Sequence, residues 1–473
     1  MSWDPLRIHL SLVSHTNIGK TTLARTLLSR DIGTIADRAH VTETTDDYVL
    51  VRNAEGCELV LWDTPGFGNS IALARRLQGR DNPIGWFMSE VWDRVANKTQ
   101  WLNQRALKHV KETSDVVLYL VNAAELPDEA PYVKAEMRIL EWVGKPVVVL
   151  LNQMGEPKPA EQEAQDVKRW QDAMQTCPIV SGVLSMDAFA RCWVQEFELF
   201  NAIGSALNEE QQVSFEGLRD IWARQRRAVY SSSIQAMGYH LDRLIHDREL
   251  APARSIKDQL LAFGHRIGVV KHDDGHDPLH AAQTALSARA TDAFCALTDE
   301  LVKLNGLKGK GVRKEILRRL QTDWNVTSQI EPKQAAVAGA IGSDAVGGLA
   351  SDLATGGLSV GLGTLIGTLI GALGGAGLAV AYNHSKAPEG TAVSWSDKAI
   401  KDFLCDAVLL YLAIAHFGRG RGNWTESEYP DFWKELTTQC IEQHAPDDIN
   451  VLPNRIDQIV RGVLFKLYPN AEF

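Results

Sequence analysis

A Gly-Lys-Thr triplet, Gly19 to Thr21, stands near the start of the chain between an apolar run and a helical stretch. The run over residues 6–13 alternates like a β-strand, and residues 20–29 have the periodicity of a helix. Backbone N–H groups at a helix N-terminus bind phosphate, a lysine there reaches the outer phosphates of a nucleotide, and a threonine hydroxyl binds Mg²⁺. The segment predicts a phosphate-binding P-loop in which Lys20 is the catalytic cation.

The predicted loop departs from the GxxxxGK[ST] pattern at one position, because Ser14 stands where the pattern has its first glycine. Serine is small, so the loop can still close around a phosphate. The sequence predicts nucleotide contacts in this loop for the following residues: Ser14, Asn17, Ile18, Gly19, Lys20, Thr21 and Thr22.

A second polar motif, Asp-Thr-Pro-Gly over residues 63–66, ends another apolar run. An aspartate at such a strand end holds Mg²⁺, and the amide of a following glycine senses the γ-phosphate. The order of the motifs predicts that Thr21 and Asp63 bind Mg²⁺ and that Gly66 contacts the nucleotide. A chance loop with a Pro-Gly turn is the alternative.

A threonine-rich stretch, TETTDD over residues 42–47, lies between these two motifs. With this order of motifs, the chain resembles bacterial P-loop GTPases of the Era/TrmE type over about residues 6–190. The resemblance implies that Thr45, or alternatively Thr44, completes the Mg²⁺ shell when a γ-phosphate is bound, so that Thr45 acts in catalysis. An ordinary polar loop before a strand is the other interpretation.

The resemblance also implies a base-reading motif after the apolar run at 145–152, where these GTPases have Asn-Lys-x-Asp. Asn152 fits this pattern, and Gln153 can stack on the base through its stem. Gly155 lacks the carboxylate that pairs with guanine, so ATP in place of GTP stays open. Asp187 lies near the expected last base-contacting loop, where a helix N-cap is an equally good interpretation.

Phe67 follows the Asp-Thr-Pro-Gly motif at the position where Ras-like proteins have a glutamine that orients water. A hydrophobic residue there is what the Era/TrmE resemblance implies, so the water must be positioned by another residue, a partner or a cation. Asn17 matches the asparagine that helps to coordinate K⁺ in potassium-activated relatives. Asn17 is therefore a candidate K⁺ ligand, and a loop residue that bonds its own backbone is the alternative.

The elements that must position these residues follow from the apolar runs. Residues 115–122 and 145–152 are continuous Val/Leu-rich runs, typical of central strands that helices cover on both faces. Strands alternating with helices predict an α/β P-loop NTPase domain over residues 1–205, with a mostly parallel sheet and helices on both faces. The long connection before residue 115 predicts a helical insertion near residues 70–112. Residues 206–473 read as a mostly α-helical C-terminal region.

This helical region contains an apolar Gly/Ala-rich tract over residues 335–382. Glycines recur every four residues from Gly363 to Gly375 and form a small-residue stripe of the kind along which helices pack closely, a glycine zipper. Residues 303–319, just before the tract, carry seven basic side chains and one acidic side chain. The two segments suit contact with an anionic membrane surface, and a glycine-zipper hairpin buried in the C-terminal region is the alternative.

The bulk properties limit the possible partners and location. A chain of 473 residues predicts two or three domains, and a net charge of −10 predicts no DNA partner. Six dispersed cysteines without metal-ligand spacing indicate reduced thiols, and the first residues lack a signal-peptide pattern. We expect a cytoplasmic protein that can lie peripherally at the cytoplasmic face of the inner membrane.

Over nearly its whole length the chain resembles bacterial GTPases fused to a helical domain of unknown function. That resemblance supplies no activity for the second half. Our first hypothesis is a slow Mg²⁺-dependent GTPase switch that binds GTP and GDP and controls the helical region, and we expect an unidentified protein partner. Three alternatives stay open. They are a nucleotide-gated membrane-associated or dynamin-like assembly protein, a non-hydrolysing scaffold, and a P-loop protein of relaxed base specificity.

Overall fold

The computed structural model describes residues 5–28, 46–90, 97–190, 192–251, 278–307, 378–381, 391–395, 397–417, 430–444, 452–471 and 473. Thr44 and Thr45, residues 308–319 of the basic run, and residues 335–377 of the glycine-rich tract lie outside these ranges.

Six strands form the N-terminal sheet. They are β1 (Arg7–Ser14), β2 (Asp46–Arg52), β3 (Glu58–Asp63), β4 (Val116–Asn122), β5 (Val147–Asn152) and β6 (Val180–Ser185). The strand order is β2-β3-β1-β4-β5-β6; β2 runs antiparallel to β3, and every other pair is parallel. Strands β4 and β5 are buried almost throughout, as their continuous apolar runs predict. The parallel order brings the carboxyl ends of β1, β3 and β5 to one edge of the sheet.

Helices cover both faces of this sheet. They are α1 (Lys20–Leu28), α2 (Ser70–Leu77), α3 (Pro83–Ser89), α4 (Lys98–Thr113), α5 (Pro131–Val143), α6 (Ala160–Met174) and α7 (Gln195–Ala206). Residues from α2 to α6 share one buried hydrophobic cluster with one face, and α1 and α7 pack on the other. Three helices, α2 to α4, therefore lie in the stretch for which the sequence predicts a helical insertion. The predicted α/β fold is confirmed.

The C-terminal region is mostly helical, as predicted. Its helices are α8 (Glu209–Ile245), α9 (Pro278–Leu304), α10 (Asp397–Ala415), α11 (Asp431–Gln443) and α12 (Leu452–Leu467). None of the described helices is long and apolar enough to cross a membrane.

A second, small antiparallel sheet accompanies these helices and was not expected. It consists of β7 (Arg248–Ala251), β8 (Leu378–Ala381) and β9 (Thr391–Trp395), in the order β7-β9-β8. The last residues of the glycine-rich tract thus form a strand instead of the predicted helix, because β9 supplies backbone partners from Leu378 to Ala381. The glycine-zipper packing itself falls outside the described part of the chain.

One continuous hydrophobic cluster joins the two halves of the described structure. It runs from one face of the sheet through α7 to the C-terminal helices. Helix α8 is 37 residues long and crosses this junction. Phe215 and Trp222, in its first part, pack with aromatic residues of α7, while Tyr230, further along, meets α10 and α12. The boundary near residue 205 stays a prediction.

Candidate nucleotide-binding site

The loop between β1 and α1 turns at two residues with left-handed backbone, Asn17 (φ 66°) and Gly19 (φ 94°). Successive turns of this kind direct backbone N–H groups into a common concavity that binds anions. A Cβ atom on Gly19 would lie 2.9 Å from Asn152 Nδ2, so the position requires glycine for space as well as for conformation. Asn17 is exposed at the tip of the loop.

Lys20 is buried in this loop with 7% of its surface exposed. Its Nζ donates to Ser14 Oγ at 3.1 Å, and the Ser14 hydroxyl donates to the carbonyl of His15 at 2.5 Å. Burial lowers the pKa of Lys20, and Asp63 and Glu136 partly oppose this effect. The serine that replaces the first glycine therefore gives the lysine an internal oxygen partner at the phosphate site.

Thr21 and Asp63 meet beside this lysine. Thr21 Oγ1 donates to Asp63 Oδ2 at 2.5 Å, and Asp63 is only 3% exposed. Asp63 Oδ1 is buried and has no hydrogen-bond partner among the described residues. Burial raises the pKa of Asp63, whereas the Thr21 hydrogen bond and Lys20 lower it.

This arrangement fits Mg²⁺. A buried carboxylate oxygen without a partner is costly, and a hard cation would satisfy it. Mg²⁺ sites of nucleotide-binding proteins use one or two protein oxygens and complete the shell with phosphates and water. The Thr21 hydroxyl and the Asp63 carboxylate are such a pair. The described residues hold no group of three or more His, Cys, Asp or Glu side chains that could bind a metal.

The loop after Asp63 is fastened to the phosphate loop through its backbone. Phe67 N donates to Ser14 O at 2.9 Å, and Thr16 N donates to Phe67 O at 3.2 Å. The Phe67 side chain is fully buried in the cluster under α2 to α6. The Phe67 side chain therefore offers no hydrogen-bonding group at the phosphate loop.

Gly66 lies at the closest approach of the two loops. A Cβ atom there would lie 2.9 Å from both Lys20 Nζ and Thr16 Cα. Because Thr16 Cα is backbone, the contact leaves no room for a larger residue. Among the described residues, the Gly66 N–H has no hydrogen-bond partner, so it is free to bind an anion beside Lys20.

Asn152 is fully buried and joins two loops. Its Nδ2 donates to Ile18 O at 2.6 Å, and its Oδ1 accepts from Ala188 N at 2.8 Å. The side chain predicted to contact the base is thus bonded within the protein and holds the phosphate loop against the loop after β6. Gln153, the next residue, has left-handed backbone (φ 58°).

The Asp187 carboxylate contacts the loop after β5. Its Oδ2 accepts from Met154 N at 2.6 Å, and its Oδ1 accepts from Phe189 N at 2.8 Å. The second bond closes a turn two residues on, so the carboxylate joins the loops after β5 and β6 instead of capping a helix. At Gly155 (φ 84°) a Cβ atom would have no neighbour within 4 Å.

Two buried polar residues that the sequence analysis did not single out support the site. Asn103, in α4, pairs with both backbone groups of Gly68. Glu136, in α5, lies 2.7 Å from His15 Nδ1 and accepts from Tyr119 OH at 2.6 Å. Their only sequence signal is a polar residue beside apolar ones on the buried face of a helix.

Comparison with known families gives two matches. Residues 9–153 match the family described as "50S ribosome-binding GTPase". Residues 317–459 match "Domain of unknown function (DUF3482)". No curated protein matches the chain.

Among solved structures, the chain is similar to Era in complex with MgGDPNP and a segment of 16S ribosomal RNA, with 18% identity and a TM-score of 0.31. That alignment covers 44% of this chain and 58% of that one. A variant of Aquifex aeolicus Era bound to GDP and AlF₄⁻ gives 18% identity, a TM-score of 0.31 and coverages of 43% and 58%. A probable GTP-binding protein, engB, shares 13% identity with this chain at a TM-score of 0.27. That alignment covers 42% of this chain and 97% of engB. The chain thus spans less than two thirds of the Era structures.

The phosphate loop and the Thr21–Asp63 pair lie within the stretch over which the family match extends, as do strands β2 to β5. The N-terminal part of this chain is a P-loop domain of the GTPase type.

Proposed function

We propose that the chain is a Mg²⁺-dependent GTP-binding protein of the Era/TrmE type, a slow GTPase switch whose nucleotide state controls its helical C-terminal region. The observation that carries the nucleotide-binding part is the buried constellation of Lys20, Thr21 and Asp63. At the N-terminus of α1 it combines a cation, a hydroxyl and a carboxylate oxygen to which no other described residue offers a hydrogen bond. A nucleoside triphosphate with Mg²⁺ satisfies all three groups.

Different residues of the site contact different phosphates of the proposed nucleotide. Backbone N–H groups from Asn17 to Lys20 bind the β-phosphate, and Lys20 leaves Ser14 Oγ to neutralise the outer phosphates. Thr21 and Asp63 would hold Mg²⁺, which would supply further charge neutralisation, and Thr45 is proposed as an additional ligand. The Gly66 N–H donates to a γ-phosphate oxygen. We expect slow hydrolysis because Phe67 is buried and orients no water.

The link to the helical region supports the switch part of the proposal. Arg226, on α8, donates from Nη2 to Leu27 O at 3.3 Å, at the last turn of α1. The same guanidinium donates to both carboxylate oxygens of Glu196 in α7, at 2.9 and 3.2 Å. Helix α1 starts at the phosphate site with Lys20, so one helix joins the proposed nucleotide to α8. A shift of α1 on nucleotide exchange would therefore reach α8 directly.

A binding panel tests the nucleotide part. With Mg²⁺ present, we expect GTP and GDP to bind the full chain more tightly than ATP. XTP should bind within about tenfold of GTP, because Gly155 lacks the carboxylate that would favour guanine over xanthine. A hydrogen bond to such a charged group would itself be worth about tenfold or more in affinity. Titration of fluorescent analogues measures these affinities. Tighter binding of ATP would support relaxed base specificity, and no binding of any nucleotide would contradict the proposal.

Potassium dependence is a separate expectation. Asn17 is exposed at the tip of the phosphate loop and is proposed as a K⁺ ligand beside the phosphates. A cation there would occupy the charge-neutralising position that an arginine takes in other GTPases. GTP hydrolysis should be at least about tenfold faster in KCl than in NaCl at equal ionic strength. The difference should disappear in Asn17→Ala. Equal rates in the two salts for the wild-type protein would refute this role.

Membrane contact through residues 303–319 and 335–382, and a protein partner of the helical region, stay proposals. Most of these segments lies outside the described ranges. Flotation with anionic liposomes, with and without nucleotide, distinguishes a nucleotide-gated membrane-associated protein from a cytoplasmic switch.

A further inference from the structure

We propose that Asn103, in α4, is a positioning residue that sets the preference of the nucleotide site for a triphosphate over a diphosphate. The inference rests on the nucleotide-binding function proposed above. Asn103 touches neither the phosphate loop nor Asp63 in the described hydrogen bonds. It acts through the loop that follows Asp63.

Asn103 forms a double hydrogen bond with one residue of that loop. Its Oδ1 accepts from Gly68 N at 3.0 Å, and its Nδ2 donates to Gly68 O at 2.8 Å. Asn103 is fully buried, so water does not compete for either bond. Since the amide uses its donor and its acceptor together, it fixes both the position and the orientation of the Gly68 backbone.

The residue before Gly68 is fixed from the opposite side. Phe67 exchanges backbone hydrogen bonds with Ser14 and Thr16, and its side chain is buried in the core. Thr64 is also held, because its Oγ1 donates to Leu12 O at 2.6 Å. Gly66 therefore lies in a short segment whose two ends have almost no freedom.

Within the described part of the chain, the Gly66 N–H has no hydrogen-bond partner, and Gly66 lies next to the Lys20 ammonium group. Only a triphosphate places an oxygen beside both groups, because a diphosphate lacks the outermost phosphate. A donor held in place before binding costs no ordering when the ligand arrives. The Asn103 pairing therefore raises the affinity for the triphosphate and leaves the affinity for the diphosphate unchanged.

The neighbouring residue on α4 offers a matched control. Gln104 Nε2 donates to the carbonyls of Phe87 and Glu90, each at 2.8 Å, and so holds the end of α3. Both residues are amides on the same helix that bind backbone carbonyls. Of these two residues, only Asn103 binds the loop after Asp63.

The test compares Asn103→Asp with Gln104→Glu in the full-length protein. Aspartate keeps the size of asparagine and can still accept from Gly68 N, but it opposes Gly68 O with a second oxygen. We expect the affinity for GTPγS to fall about tenfold in Asn103→Asp while the GDP affinity stays within about twofold. Gln104→Glu should keep the wild-type ratio of the two affinities. Fluorescence titration with both nucleotides measures this ratio.

Asn103→Ala provides a second variant, since it removes both hydrogen bonds without burying a charge. It should lower the ratio of the GTPγS affinity to the GDP affinity, and its unfolding midpoint shows whether the fold is intact. A ratio within about twofold of wild type in either folded variant would overturn the inference. Equal losses for GTPγS and GDP would show a purely structural role and would also overturn it. Absence of nucleotide binding by the wild-type protein would instead reject the proposed function.

Discussion

Replacing Lys20 with alanine is expected to abolish nucleotide binding. Lys20 is buried at the N-terminus of α1, and its ammonium group is held only 3.1 Å from Ser14 Oγ, at the mouth of the phosphate loop. The variant loses two charge-assisted contacts to the outer phosphates. Each is worth about 1.5–3 kcal/mol, so affinity should fall by at least about 100-fold.

The measurement is titration of a fluorescent GDP analogue and a GTP analogue against the full-length variant. Lys134→Ala is the matched control, because the Lys134 side chain is 72% exposed on α5. It should bind both nucleotides like wild type. The unfolding midpoint without nucleotide reports whether Lys20→Ala keeps its fold. Wild-type affinity in a folded Lys20→Ala protein would refute the assignment of the phosphate loop.

The α/β fold could be predicted because its signals are local. Continuous apolar runs identified β4 and β5, and the motifs at residues 14–22 and 63–66 stand at the carboxyl ends of β1 and β3. Parallel strands then bring Thr21 and Asp63 together without any further information. In the structure, Thr21 Oγ1 lies 2.5 Å from Asp63 Oδ2.

Residues whose role depends on tertiary contacts could not be predicted. Asn103 and Glu136 are single polar residues in amphipathic helices, and nothing in their local sequence specifies Gly68 or His15 as partners. Asn152 matched a motif, but its amide contacts Ile18 and Ala188, residues that only the fold brings near. The small sheet that contains β8 depends on pairing with β9 and so was missed in an apolar, glycine-rich stretch.

The ion pair at the junction between α1, α7 and α8 could not be predicted from the sequence either. Glu196 is 1% exposed and accepts two hydrogen bonds from Arg226, whose side chain is 21% exposed. Burial lowers the pKa of Arg226 to about 10. Both residues look like ordinary surface charges in the sequence. In the fold they form an ion pair that also reaches Leu27 O at the end of α1.

Glu196→Leu is expected to destabilise the protein by about 3–5 kcal/mol, because the largely buried Arg226 charge loses the Glu196 carboxylate. The double variant Glu196→Leu/Arg226→Met should recover most of this loss, since it removes both charges together. Urea unfolding followed by tryptophan fluorescence measures both effects, and Trp222, stacked on Phe200 at 4.3 Å, reports the junction. Arg224→Met, an exposed arginine on the same helix, should change the stability by less than about 0.5 kcal/mol.

The double variant also tests whether this ion pair couples the nucleotide to α8. Its side chains lie at the far end of α1 from Lys20, so nucleotide affinity should stay within about threefold of wild type. In wild type, a GTP analogue and GDP should shift the unfolding of the helical region to different extents. The double variant should lose this difference because α1 no longer contacts α8 through Arg226. If the difference persists at full size in a stably folded double variant, the nucleotide state reaches the helical region by another route.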